Sequence, residues 1–356
     1  MKAARIPQFG APDVFRIDDI PQPQPKAGEA LIRIKACGVN RMDTELRAGV
    51  YGGQPLGDFF FGKDIVLPHL PGVEPAGSIE TIELASSKLV SGTRVVPHSH
   101  LSCGSCFQCR AGYDNACAEI RVLGVQTPGC GGYAEYFTWP AAGLIPFDEA
   151  LSFEQAAALL VNYGPVWFGL HERAKLKAGE TVVITGAAGG CGHAALDIAR
   201  LLGARAIAVT RSPDKTSALR EAGADAVVID RAGENWAEEV AELTSGEGAN
   251  CVLELVGAAT WSRSLEVAAS RGRVVVIGSH SGLNVDLNLG QLFGKNLSIE
   301  GITRANRSAM EALVQLAGQG KLRPHVGHTL PLDNVAEAHR MMDADEHIGK
   351  IVLTMS

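Results

Sequence analysis

Cys103, Cys106, Cys109 and Cys117 fall within fifteen residues, in a loop that also carries Gly104 and Gly112. Four thiolates at this spacing can wrap one zinc ion tetrahedrally and leave no coordination position for water or substrate. The expected role is therefore structural, with metal binding helping to fold the loop. The other four of the eight cysteines, Cys37, Cys130, Cys191 and Cys251, are scattered through apolar or Gly-rich contexts. That distribution fits a metal knot in a reducing compartment better than a set of disulfides. His98 and His100, beside the lobe, read as satisfied loop histidines.

A second chemical signature is the turn Gly186-Ala-Ala-Gly189-Gly190-Cys191-Gly192, between the strand-like Thr181–Thr185 and the helical stretch that opens at Ala194. Glycines at such a junction let backbone N–H groups approach a pyrophosphate at the positive end of a helix. At the end of the next strand, where an acidic residue commonly binds ribose hydroxyls, stands Thr210-Arg211-Ser212, with Lys215 one turn on. A guanidinium, a hydroxyl and an ammonium there suit a 2'-phosphate and favour NADPH over NADH. Asp214 argues the other way, and Ser212-Pro213 is also an ordinary helix start.

These groups need two kinds of scaffold. From Lys2 to about Pro146 short β-type runs are broken by Gly and Pro, the texture of an irregular β domain. From Ser152 Ala-rich helical stretches alternate with six buried-strand runs, at 181–185, 206–209, 226–229, 251–255, 274–277 and 297–299, which predicts an α/β parallel, doubly wound, six-stranded sheet. Two helical stretches, 307–319 and 332–344, and a closing strand at 350–353 return to the first domain. The expected boundaries are 1–160, with the lobe at 98–120, then 161–302 and 303–356.

The 356 residues suffice for two domains without covalent staples, and 46% hydrophobic with 20% charged residues is a globular profile. A net charge of -7 without a Lys/Arg cluster disfavours nucleic acid and anionic lipid. Neither a leader-like start nor a long apolar run is seen, so a cytoplasmic protein acting on small molecules is expected.

Taken together, Gly28-Glu29-Ala30-Leu31-Ile32, the four-Cys lobe, Gly131-Gly132-Tyr133-Ala134-Glu135-Tyr136, Lys177-Ala-Gly-Glu-Thr181, the glycine turn and Gly349-Lys350-Ile351-Val352-Leu353 resemble the medium-chain dehydrogenase/reductase superfamily over essentially the whole chain. The resemblance implies a GroES-like catalytic domain, a Rossmann domain, a cleft between them, and a homodimer or homotetramer. It adds Asn162, Gly257, Gly278 and Lys350 to the candidate cofactor contacts. Zinc alcohol dehydrogenases of this superfamily hold a catalytic zinc through a Cys, a His and commonly a second Cys. The matching positions here are Asn40, Val73 and Val161, so no catalytic zinc is expected, only one structural zinc per chain. Gly-Val-Asn40-x-x-Asp43, Gly49-Val-Tyr51 and the glycine turn are similar to the quinone oxidoreductase and enoyl reductase branch, which uses NADPH without a metal. The four-Cys lobe departs from that branch.

The expected reaction is hydride transfer to a conjugated carbonyl, whose enolate a few hydrogen bonds can hold. Tyr51 is the candidate proton donor, Asn40 a contact to the carbonyl or the nicotinamide ribose, and Tyr163 a flank for the ring. Glu74 and Asp43 read as structural partners of Arg residues such as Arg41. Two alternatives stand: an alcohol dehydrogenase with a zinc on non-standard ligands such as Cys37, His69 or Cys130, and a dinucleotide-binding protein without turnover. The loop at 51–68, with its Gly57-Asp-Phe-Phe-Phe-Gly62 stretch, is expected to close the pocket or carry a dimer contact.

Overall fold

An eleven-residue strand, Glu29–Val39, organises the first of two units. The computed structural model describes residues 1–58, 65–83, 89–231 and 234–355; one unit comprises Met1–Val161 with Asn306–Ser356, the other Asn162–Ala305. Of the loop at 51–68 expected to close the pocket or carry a dimer contact, residues 59–64 lie outside the described residues.

In the first unit Glu74–Ile82 pairs antiparallel along one edge of the long strand. Its other edge is shared by Tyr136–Pro140, opposite residues 29–33, and by Lys350–Thr354, opposite residues 36–39. Arg94–Pro97 and Leu144–Pro146 extend the sheet on one side and Val326–Pro331 on the other. Period-two alternation sends Ala30, Ile32 and Ile34 inward, where they pack with Ile79, Val95, Phe137, Trp139, Ile351 and Leu353. The first unit is thus completed by chain from beyond residue 305, and that chain supplies a strand to its interior.

In the second unit all six strands are parallel, in the order Ala226–Ile229, Arg205–Thr210, Thr181–Ile184, Ala249–Glu254, Ala268–Val276, Ser298–Gly301. These are the six runs expected from sequence. Continuous Val/Ile/Ala segments form them because helices cover both faces, as the fully buried Val182, Val183 and Ile184 illustrate. The order reverses direction between Thr181–Ile184 and Ala249–Glu254, the place where doubly wound sheets open a crevice at their carboxyl ends. Among the described residues no helix is long and apolar enough to cross a membrane.

Candidate active site and metal centre

Strand register brings three polar side chains of the first unit together. Gly38 lies opposite Glu74 on one side, and the pairing of Ile351 with Val39 sets Lys350 beside Asn40 on the other. The Lys350 ammonium sits 2.5 Å from Glu74 Oε2 and 2.5 Å from Asn40 Oδ1. Asn40 Nδ2 donates to Glu74 Oε2 at 3.2 Å and to the Gly38 carbonyl at 3.4 Å, while the Val161 N–H donates to Glu74 Oε1 at 2.6 Å. A Cβ on Gly38 would fall 2.5 Å from Lys350 Cε and 2.8 Å from Glu74 Oε2, so only glycine lets the pair close. Lys350, expected among the cofactor contacts, thus has its charge committed to Glu74 and Asn40. Glu74 in turn is partnered by a lysine, and Arg41 instead pairs with Asp345.

Asp43, in the first turn of the helix Arg41–Ala48, accepts the Asn40 N–H at 2.9 Å and the Gly72 N–H at 3.3 Å. Full burial pushes its carboxyl up to about 7 despite these donors. Tyr133 and Cys37 are likewise buried, and burial pushes both well above their ordinary values. The Tyr133 hydroxyl lies 3.2 Å from His339 Nε2, and burial holds that imidazole well below its ordinary value.

Tyr51 belongs to a two-residue strand paired with Gln54–Pro55. It packs, half-buried, against an apolar cluster of Leu46, Leu56, Val73 and Val125, which Val161 also touches. Val73 and Val161, two of the three positions that the resemblance matches to zinc ligands, are therefore apolar residues packed in one cluster with Tyr51. Among the described residues Cys37, His69 and Cys130 form no cluster able to hold an ion: His69 Nε2 is 2.8 Å from the Gly124 carbonyl, and Cys130 donates to the Thr138 carbonyl at 3.4 Å.

In the second unit Thr181–Ile184 leads into Gly186, whose φ of 60° makes the turn, and Gly189 caps the helix Gly190–Leu202. Added Cβ atoms would strike Asn162 Oδ1 at Gly190, 2.5 Å away, and the Ala187 carbonyl at Gly192, 2.2 Å away. Gly189 differs, because its nearest neighbour would lie at 3.8 Å. No packing demand requires glycine there, and an open space at a helix N-terminus is what an approaching phosphate needs. Asn162 joins this turn, its Nδ2 donating to Cys191 Sγ at 3.5 Å. Arg211, Ser212 and Lys215 follow the end of Arg205–Thr210, the strand beside Thr181–Ile184, with Arg211 exposed and Lys215 buried.

Close backbone packing accounts for glycine at two further expected positions. A Cβ on Gly278 would meet the Leu255 carbonyl at 2.0 Å, and one on Gly257 the Gly282 carbonyl at 2.8 Å. Tyr163 is 2% exposed and its hydroxyl donates to Asp197 at 3.1 Å, which ties it to the helix rather than to a ring-flanking position. Sequence reasoning missed Glu254, a fully buried carboxylate that accepts from Thr185, Thr260, Ser264 and the Val256 and Gly257 N–H groups. It locks the ends of two adjacent strands beside the glycine turn; a lone Glu ending an apolar run was its only signal.

The four lobe cysteines converge, with Cys117 Sγ 3.6 Å and Cys109 Sγ 4.0 Å from Cys103 Sγ. A tetrahedral zinc with bonds of about 2.3 Å needs sulfurs about 3.8 Å apart. N–H groups of Cys103, Cys106, Cys109 and Glu119 point at lobe sulfurs at 3.3–3.5 Å, the donor pattern that favours thiolates. All eight cysteines are free of disulfides. The donor set fits zinc. His98 and His100 are buried and both meet Asp114, and among the described residues these three form the one other cluster of His, Cys, Asp or Glu able to hold an ion. Burial, with His100 alongside, pushes the His98 imidazole down to about 3.

Two family models match the chain: the alcohol dehydrogenase GroES-like domain over residues 26–149 and the zinc-binding dehydrogenase over 190–319. The chain is 30% identical to the quinone oxidoreductase of Homo sapiens, an alignment covering 100% of this chain and 98% of that one. Among solved structures, an NAD-dependent alcohol dehydrogenase matches with TM-score 0.91 and 34% identity over 100% of both chains. A cobalt- and zinc-bound thermostable alcohol dehydrogenase from Pyrobaculum aerophilum matches with TM-score 0.85 and 31% identity, covering 100% of this chain and 99% of that one.

Proposed function

The chain belongs to the medium-chain dehydrogenase/reductase superfamily, and from that premise we propose that it is an NADPH-dependent reductase of conjugated carbonyls: quinones, enones or unsaturated thioesters. One observation carries the reading. At the positions where zinc relatives place ligands, Val73 and Val161 belong to an apolar cluster and Asn40 holds the ammonium of Lys350. A cation is thus kept beside that place, but it is a lysine paired with Glu74.

Bound NADPH would supply the hydride, from a site at Gly186, Gly189, Gly190 and Asn162, with Arg211, Ser212 and Lys215 toward the 2'-phosphate. Hydride addition at the β carbon moves an electron pair onto the carbonyl oxygen. Two of the three Lys350 N–H donors serve Glu74 and Asn40; the third is the group that would steady the developing enolate. Asn40, whose amide is engaged with Lys350, Glu74 and Gly38, then acts by positioning the ammonium. Tyr51 donates the proton that completes the reduction. The lobe cysteines hold one structural zinc, outside the reaction. A homodimer or homotetramer, as in the superfamily, completes the reading.

The test is NADPH oxidation by chelator-washed protein with quinones, enones and 2-enoyl thioesters, beside NAD(P)+ reduction with alcohols. Turnover of a conjugated acceptor that survives chelation is expected. Because several similar solved structures are named alcohol dehydrogenases, a metal-dependent alcohol oxidation is the second reading. Activity on alcohols alone, abolished by chelation, would replace the first with it.

A further inference from the structure

The cluster His98, His100 and Asp114 plays no part in the reaction above or in the four-thiolate site, and its geometry does not depend on that reading. His98 follows the strand Arg94–Pro97, His100 opens the two-residue strand His100–Leu101, and Asp114 lies inside the cysteine lobe, between Cys109 and Cys117. Asp114 presents one oxygen, Oδ2, to both rings, 2.7 Å from His98 Nε2 and 3.3 Å from His100 Nε2. Its other oxygen is held by the Arg307 N–H at 3.1 Å, which fixes the carboxylate's orientation. The two ring centroids are 4.0 Å apart, and one donor atom from each residue lies within 4.8 Å of the others. Both side chains are buried, 6% and 0% exposed for His98 and His100.

We infer that these three residues form a second metal site, of two imidazole nitrogens and one carboxylate oxygen, for a divalent ion of the zinc and cobalt class. Bonds of about 2.0–2.2 Å to N and O in a tetrahedral shell set donor atoms about 3.3 Å apart. The His100–Asp114 separation already has that value, and the His98 ring needs to move outward by roughly half an ångström. Nitrogen-rich donors with one carboxylate select zinc or cobalt over magnesium or calcium, which take oxygen shells. Asp114 contributes one negative charge toward a dication; the Arg307 guanidinium pairs with Glu311 and the Ala142 carbonyl, though its positive charge still reaches the His98 ring. Such an ion ties the sheet strand to the lobe, so that the lobe is fastened by metal on both flanks of Asp114.

The experiment is saturation of the protein as isolated, zinc in its lobe, with cobalt(II) chloride alone, followed by metal analysis, visible absorption and proton NMR. A second metal per chain is expected, with visible d–d bands lacking thiolate charge transfer and with two strongly shifted, exchangeable imidazole N–H resonances. His98→Gln/His100→Gln should hold a single, thiolate-bound metal; should that variant fail to fold, Asp114→Asn takes its place with the same expectation. One metal per chain in the saturated wild type would overturn the site. So would a second cobalt without shifted imidazole resonances, or one retained by a folded variant; the trio would then be a hydrogen-bonded knot in which Asp114 accepts from two neutral histidines.

Discussion

Lys350 and Glu74 form the most buried ion pair among the described residues, Nζ to Oε2 at 2.5 Å, with 3% and 1% of their side chains exposed. A pair so far from water gains little net stability, because desolvation offsets most of the attraction. Breaking it from one side is another matter.

Lys350→Met should therefore destabilise the protein by about 3–5 kcal/mol, since Glu74 would be left charged and buried. Lys350→Met/Glu74→Gln should recover most of that loss in urea unfolding. If the ammonium steadies the enolate, the double variant stays slow by about 10²–10³ in kcat. Turnover restored along with stability would reduce the pair to a structural device.

Tyr51→Phe should lower kcat by about 10²-fold or more, the usual scale for a positioned proton donor, with NADPH affinity unchanged. Fluorescence titration with NADPH separates the two effects. Wild-type kinetics in this variant would remove Tyr51 from the reaction.

Arg211→Ala should raise the KM for NADPH about ten- to a hundredfold, the scale of one charge-assisted hydrogen bond, and leave that for NADH nearly unaltered. A parallel rise for both cofactors would mean that Arg211 does not read the 2'-phosphate.

Asp43 and His339 give opposed pH dependences. The Asp43 carboxyl is raised from 3.8 to about 7 on folding, so between those values the folded chain keeps a proton the unfolded chain releases. Its contribution is whole below the lower value and lost as pH rises to the upper one. His339 is held well below 6.5, so below that pH the unfolded chain takes up a proton the folded chain refuses, and stability falls with acid. Between the ordinary Asp value of 3.8 and the ordinary His value of 6.5 the two dependences therefore run in opposite directions. Asp43→Asn should uncover acid lability, and His339→Gln a loss of stability as pH rises, in urea midpoints measured across that range. Identical pH profiles for wild type and both variants would refute the assignment.

What could be read from the sequence was whatever is local. Ala226–Ile229 has the same limits as the run of apolar residues that predicts it, because a strand buried on both faces writes itself as continuous Val and Ile. The cysteine lobe was legible for the same reason, its four ligands lying within one loop. The Lys350 contact was not: Asn40 and Lys350 stand 310 residues apart, and only strand register unites them. Glu74 and Asp43 read as partners of Arg residues because no local pattern reveals which cation a carboxylate will meet. His98 and His100 looked like loop histidines until folding set Asp114 against both.

The strand Lys350–Thr354, seated between Glu29–Val39 and Val326–Pro331, also fixes an order of assembly. A growing chain that has reached Ala305 possesses every strand of its second sheet. The first sheet still has a gap beside residues 36–39, an unpaired edge open to wrong partners throughout the synthesis of the other unit. The same strand delivers the buried ammonium, so the polar cluster at Asn40 and Glu74 is neutralised only when the sheet around it closes. Until that strand docks, the cluster of Asn40, Glu74 and Lys350 is incomplete.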